Sequence, residues 1–137
     1  GAVGKKLFAM AENFAVLYSD LKVIFRLHPN ENPDDYQSEF PNLEISHKTP
    51  DFLELVSCCE YLAGGFSTTL FEGAALGCKV IVVDVPGIEN IQSSIDDGDF
   101  VLLKDRDPNS IDKALANAKK INAEKYYSLL RPEALNA

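Results

Sequence analysis

The chain has 137 residues, 46% of them hydrophobic, enough for one folded domain with its own core, and this excludes disorder as the default state. Its 21 acidic residues outnumber 13 basic ones, giving a formal net charge of -8, and a nucleic-acid partner is not expected because it calls for a basic patch. An acidic chain can still hold a phosphate where a helix N-terminus supplies local positive potential.

Residues 5–19 place Leu7, Phe8, Met10, Ala11, Phe14, Leu17 and Tyr18 at helical spacing, which predicts a helix ended by Asp20. Residues 22–27 (KVIFRL) read as a strand, stopped at His28-Pro29 because proline cannot extend a ladder. The polar stretch 30–41 predicts turns with one short helical turn. Residues 43–46 read as a short strand and 50–59 as a helix with Pro50 and Asp51 in its first turn. Residues 61–63 form a short strand closed by Gly64-Gly65, and 67–76 a helix opened by hydroxyl residues and capped by Gly77. The continuous apolar run 79–83 (KVIVV) has the character of a strand buried on both faces. Pro86-Gly87 is a turn, 88–95 a short helix, 100–103 a last strand, and 109–121 a helix signalled by Asp107, Pro108 and Asn109.

Strands alternating with helices of about ten residues call for an α/β fold: a doubly wound, Rossmann-like parallel sheet with helices on both faces. The expected domain covers residues 1–122, followed by a C-terminal helical extension over 123–137. A doubly wound domain ordinarily opens with a strand, whereas this chain opens with a helix, so the first strand is expected upstream, in a longer protein. Nothing in the sequence approaches the roughly 20 apolar residues of a membrane-spanning helix, and no signal peptide is visible. Cys58, Cys59 and Cys78 are odd in number, two of them adjacent; they suggest no disulfide framework and read as buried, small apolar residues. No metal-ligand spacing occurs, with His28 and His47 far apart, so no metal is expected. A cytoplasmic location follows, with any peripheral attachment to the inner membrane left to parts outside this chain.

In an open parallel sheet, ligands bind beyond the carboxyl ends of the strands. Segments 28–30, 47–49, 64–69 and 84–89 are expected there. The most informative is Gly64-Gly65-Phe66-Ser67-Thr68-Thr69: glycines admit a close backbone approach, and a helix then opens with free amides and hydroxyls. Gly65, Ser67, Thr68 and Thr69 are therefore candidates to cradle a phosphate, although Ser67 could equally cap its own helix. The segment has neither the dinucleotide nor the Walker glycine pattern. Glu72, about one and a half turns into the helix, can accept from both hydroxyls of a ribose or stand as a solvated surface residue. His28, directly after a strand, can touch a phosphate or a base, or be structural; it is the one candidate catalytic residue. Asp84 and Glu89, flanking Pro86-Gly87, are candidates for a sugar rim or for shaping the turn. Phe66 is expected to pack on the sheet.

These segments in this order resemble a known arrangement. A strand ending in His28-Pro29-Asn30, then a short strand, then Asp51-Phe52-Leu53-Glu54-Leu55, then a strand leading into residues 67–83 (STTLFEGAALGCKVIVV), is similar to the C-terminal domain of glycosyltransferase-B fold enzymes. The nearest look-alikes are non-hydrolysing UDP-N-acetylglucosamine 2-epimerases, with similar patterns in teichoic-acid glycerophosphotransferases and capsule sialyltransferases. The resemblance spans about residues 7–120. It implies a domain that binds the nucleotide of an activated donor: phosphates at the helix opened by Ser67, ribose at Glu72, and His28 as the histidine of a His-Pro motif. It also implies chemistry without a metal, and a separate N-terminal acceptor-binding domain without which this chain is inactive. The epimerases carry Asp-Ser-Gly-Gly where this chain has Phe66-Ser67-Thr68-Thr69, a second Glu where it has Gly73, and an Arg-containing loop where it has residues 84–89. The expected function is thus donor binding in a glycosyltransferase of surface polysaccharide or glycoconjugate synthesis. The alternatives are an epimerase-like fragment and a non-catalytic α/β binding module.

Overall fold

The computed structural model describes residues 1–65 and 67–121. The expected C-terminal extension over 123–137 and the expected packing of Phe66 lie outside the described residues. The chain divides into two compact units, Gly1–Phe52 and the part from Leu53 onward. Among the described residues the architecture is α/β, with every strand pair parallel, in one two-stranded and one three-stranded sheet.

The first unit holds α1 (Ala2–Leu17), β1 (Val23–Arg26), a single 3-10 turn at Pro33–Asp35, and β2 (Leu43–Ser46). β1 and β2 pair in register from Val23 opposite Leu43 to Arg26 opposite Ser46. α1 buries Met10, Ala11, Phe14 and Ala15, a stripe at helical spacing. Ala11, Ala15 and Leu43 form a small core with Phe8, Val23, Phe25 and Phe40 around it. Asn42 fastens the end of α1: its Nδ2 lies 3.0 Å from the Ala15 carbonyl, 3.2 Å from that of Tyr18 and 2.9 Å from that of Leu21. One side chain thereby occupies carbonyls that a helix terminus leaves without partners.

α2 (Phe52–Val56) is shorter than the expected 50–59. Its end tightens onto nearer acceptors, with the Cys58 amide on the Leu55 carbonyl at 3.2 Å and the Cys59 amide on that of Val56 at 3.0 Å. The Ser57 hydroxyl donates to the Glu54 carbonyl at 2.7 Å, a local bond that competes with a further helical turn.

The second unit contains β3 (Tyr61–Gly64), α3 (Thr68–Ala75), β4 (Lys79–Val83), a 3-10 turn at Ile88–Ile91, α4 (Gln92–Asp96), β5 (Val101–Leu103) and α5 (Pro108–Asn117). The strand order is β3-β4-β5, with Gly64 opposite Val82 and Val83 opposite Leu103. β4 is the centre: Val80, Ile81, Val82 and Val83 are all buried, as its uninterrupted apolar sequence requires. Leu70, Ala74, Ala75, Val80, Val82, Ile91 and Phe100 make one core cluster. Burying a side chain such as Ile91 stabilises the fold by roughly 1.5–3 kcal/mol.

α3 ends in a Schellman motif. The Gly77 amide donates to the Ala74 carbonyl at 3.1 Å and the Cys78 amide to that of Gly73 at 2.9 Å. Gly77 has φ +93°, the left-handed conformation that glycine adopts without strain. α5 stops four residues before the expected 121, because Ala118 turns extended (φ -64°, ψ 137°) and Ile121 packs against the core cluster. Of the cysteines, Cys78 is buried, as expected; Cys59 is half-buried and Cys58 exposed, unlike the expectation, because both sit at the surface end of α2. Burial pushes the Cys78 thiol up to about 11 and also raises that of Cys59, so neither is an activated thiolate.

Candidate functional site

The candidate residues fall into two groups, one on each unit. In the second unit the three strands are parallel, so their carboxyl ends share one edge of the sheet. That edge carries Gly65, the start of α3, and the turn after β4. Gly65 follows β3 and is buried. A Cβ built on it would overlap the Val85 Cγ2 methyl, so the two loops approach as closely as glycine permits.

Ser67 is the N-cap of α3, with extended backbone (φ -167°, ψ 144°). Its Oγ accepts from the Thr69 amide at 3.2 Å and from the Thr69 hydroxyl at 2.8 Å. The capping role weighed in the sequence is therefore real. It does not exhaust the group: with both acceptor sites of Oγ used, the Ser67 proton is left to donate outward. Thr68 is exposed at the first helical position, where the amide has no intrahelical acceptor. The Leu70 amide is taken by the Ser67 carbonyl at 3.1 Å. The donors presented by this helix end are thus the Ser67 hydroxyl, the Thr68 hydroxyl and the Thr68 amide. Thr69 spends its proton on Ser67 and is a supporting residue. Glu72 is half-buried, four residues after Thr68 and on the same face of α3. Amide and hydroxyl donors with a carboxylate one turn on suit a ligand that combines an anion with hydroxyls.

The turn after β4 brings Asp84 and Glu89 to the same edge. Asp84 is half-buried, and its amide donates to the Leu103 carbonyl at 3.1 Å. Glu89 is exposed and folds back, its Oε2 accepting from the Gly87 amide at 3.2 Å. Asn90 Nδ2 donates to the Gly87 carbonyl at 3.0 Å. Gly87 itself has φ +102°. Glu89 is therefore engaged in shaping its own turn. Away from these residues, a shallow cleft of about 230 Å³ lies between β5 and α5, lined in part by Leu103, Lys104, Ser110 and Lys113. None of the candidate residues borders it.

In the first unit, His28 and Asn30 follow β1 and are exposed. The His28 amide donates to Glu31 Oε1 at 2.8 Å, and the Asn30 amide donates to His28 Nδ1 at 3.2 Å. Glu31 Oε2 accepts the Tyr36 hydroxyl. Burial opposes ionisation of Glu31, yet the bonds from Tyr36 and from the His28 amide outweigh it and hold the carboxyl below its ordinary range. The same bond, with burial, pushes the Tyr36 hydroxyl up to about 12. Sequence reasoning left Glu31 open between supporting a loop and touching a ligand, and passed over Tyr36. The signal for Tyr36 was an aromatic, one of two with Phe40, within the polar stretch 30–41.

Among the described residues no group of three or more His, Cys, Asp or Glu side chains could hold a metal ion, and no helix is long and apolar enough to cross a membrane. No family model, no curated protein and no solved structure matches the chain.

Proposed function

We propose that this chain is the donor-nucleotide-binding domain of a glycosyltransferase, a doubly wound, Rossmann-like domain of the glycosyltransferase-B type. The observation that carries it is the end of α3: two hydroxyls and a free amide at the helix start, Glu72 one turn later, and Gly65 pressed against Val85 beside them. The Ser67 and Thr68 donors hold the phosphates and stabilise negative charge as it develops on the leaving group. Glu72 accepts from the ribose hydroxyls; His28, on the first unit, is a separate candidate for contact with a phosphate. The acceptor is bound by a separate N-terminal domain of the longer protein, which works in the cytoplasm on surface polysaccharide or glycoconjugate precursors.

A transferase is favoured over an epimerase by one observation beyond the sequence. Gly73 is buried, and a Cβ built there would overlap Leu62 Cδ2, so the position of the second epimerase glutamate serves helix–strand packing here.

Calorimetric titration of UDP, CMP, CDP and GDP into the chain tests the proposal, with Ser67→Ala and Glu72→Ala alongside. One nucleotide is expected to bind saturably. Loss of the ribose contacts in Glu72→Ala should weaken it roughly 10- to 100-fold, the factor for hydrogen bonds to a charged acceptor. Absence of binding at millimolar nucleotide, by this chain and by the longer protein alike, would reject the donor site.

A further inference from the structure

We infer that Glu31 is a positioning residue that holds His28 in a single tautomer, its proton on Nε2, as a hydrogen-bond donor toward an anion; taking that anion as a phosphate rests on the nucleotide-binding proposal above. The Glu31 amide donates to the His28 carbonyl at 2.9 Å, closing a turn over residues 28–31. The Glu31 side chain then clasps the turn from outside. Its Oε1 accepts the His28 amide at 2.8 Å, while its Oε2 accepts the Tyr36 hydroxyl. Within the clasp, the Asn30 amide donates to His28 Nδ1 at 3.2 Å. An amide hydrogen directed at Nδ1 requires a lone pair there, so the neutral ring carries its proton on Nε2.

The clasp has a rigid base. Tyr36 is 7% exposed, and its ring lies 5.2 Å, centroid to centroid, from each of Phe8 and Phe25. The hydroxyl therefore cannot swing away from Glu31 without disturbing three packed rings. Gly4 of α1 leaves the space that the pair occupies: a Cβ there would stand 2.7 Å from the Tyr36 hydroxyl and 2.9 Å from Glu31 Oε2. His47 Nε2 adds a contact at 3.0 Å to the Pro29 carbonyl, tying the same turn to the end of β2. His28 itself is exposed, so the nitrogen left for a ligand is the protonated one. A neutral ring that offers Nε2–H donates a hydrogen bond to developing negative charge; it does not take a proton at that nitrogen. His28 is thereby assigned a donor role instead of that of a general base.

The test is long-range ¹H–¹⁵N NMR of the histidine side chains in the full chain at neutral pH, for wild type, Glu31→Gln and Tyr36→Phe. The backbone amide spectrum serves as the check on folding, and Tyr36→Phe keeps the ring packing. Wild type should show His28 with protonated Nε2 and unprotonated Nδ1, favoured by about tenfold or more, the weight of one hydrogen bond. Each variant should bring the two tautomers toward equal population with the remaining amide spectrum in place. A mixed tautomer in wild type, or an unchanged His28 spectrum in both variants, would overturn the assignment. Titration with inorganic phosphate, beside the nucleotides, separates it from the nucleotide proposal. Inorganic phosphate should move the His28 Nε2–H resonance, and a resonance unmoved at millimolar phosphate overturns the donor role. Failure of UDP and the other nucleotides to bind, with the tautomer single in wild type and mixed in the variants, rejects the nucleotide ligand and supports Glu31 as the positioning residue.

Discussion

Replacing Gly65 by alanine tests how tightly the loop after β3 is pressed onto the loop after β4. The new methyl would overlap Val85 Cγ2, and Val85 is 4% exposed, so it has little room to give. A β-branched side chain is also stiff at χ1, and relief must come from the backbone. Overpacking of this kind costs about 1–3 kcal/mol. Alanine recovers roughly 0.4–1 kcal/mol by restricting the unfolded chain. The expected net destabilisation is therefore about 1–2 kcal/mol. With a urea m-value of roughly 1–3 kcal/mol/M, the midpoint should fall by about 0.5–1 M. Val85→Ala alone removes two buried methyl groups and should cost about 2–3 kcal/mol, transfer and cavity together. In the double variant the clash is gone and the new methyl partly fills the space. The double should therefore be no less stable than Val85→Ala, a coupling of about 1–2 kcal/mol relative to additivity. Urea unfolding of the three variants, followed by circular dichroism, measures this directly. Additive costs, agreeing within roughly 0.5 kcal/mol, would show that Gly65 does not meet Val85 and would refute the close approach.

Gly77→Ala should cost about 1 kcal/mol in the same assay, because φ +93° is strained for alanine although the space around it is open; an unchanged midpoint would contradict the Schellman cap. Stability should fall as pH rises from about 10 toward 12, since the unfolded Tyr36 ionises before the folded one, whose hydroxyl is pushed up to about 12; Tyr36→Phe should remove this portion of the alkaline loss, measured by thermal melts across that range. The depressed Glu31 carboxyl works at the other end. Its stabilisation is present above the unfolded glutamate pKa and is lost as pH falls through the lower folded value, so Glu31→Gln should flatten the acid limb of the same profile.

Much of the local structure is legible in the sequence. The strands at 43–46 and 79–83 begin and end where expected, and Ser67 and Gly77 bound α3 as their residue types require. These features depend on neighbours within a few positions: side-chain alternation, a hydroxyl on an amide two residues ahead, a glycine where φ must be positive. The lengths of α2 and α5 were less legible, because their ends are set by local bonds that compete with the helix and by Ile121 returning to the core.

Determined by sequence alone are the α/β class, the parallel alternation of elements and the hydroxyl-rich start of α3, all consequences of short-range periodicity and capping. Tertiary structure alone decided that the strands group as β1-β2 and β3-β4-β5, that Gly65 and Gly73 are glycines because Val85 and Leu62 stand against them, and that Glu31 and Tyr36 clasp the turn of His28. Such pairings join residues whose types say nothing of each other. The grouping of strands and the contacts at both glycines appear only when the folded chain brings distant or differently facing atoms together, where sterics and burial set the outcome.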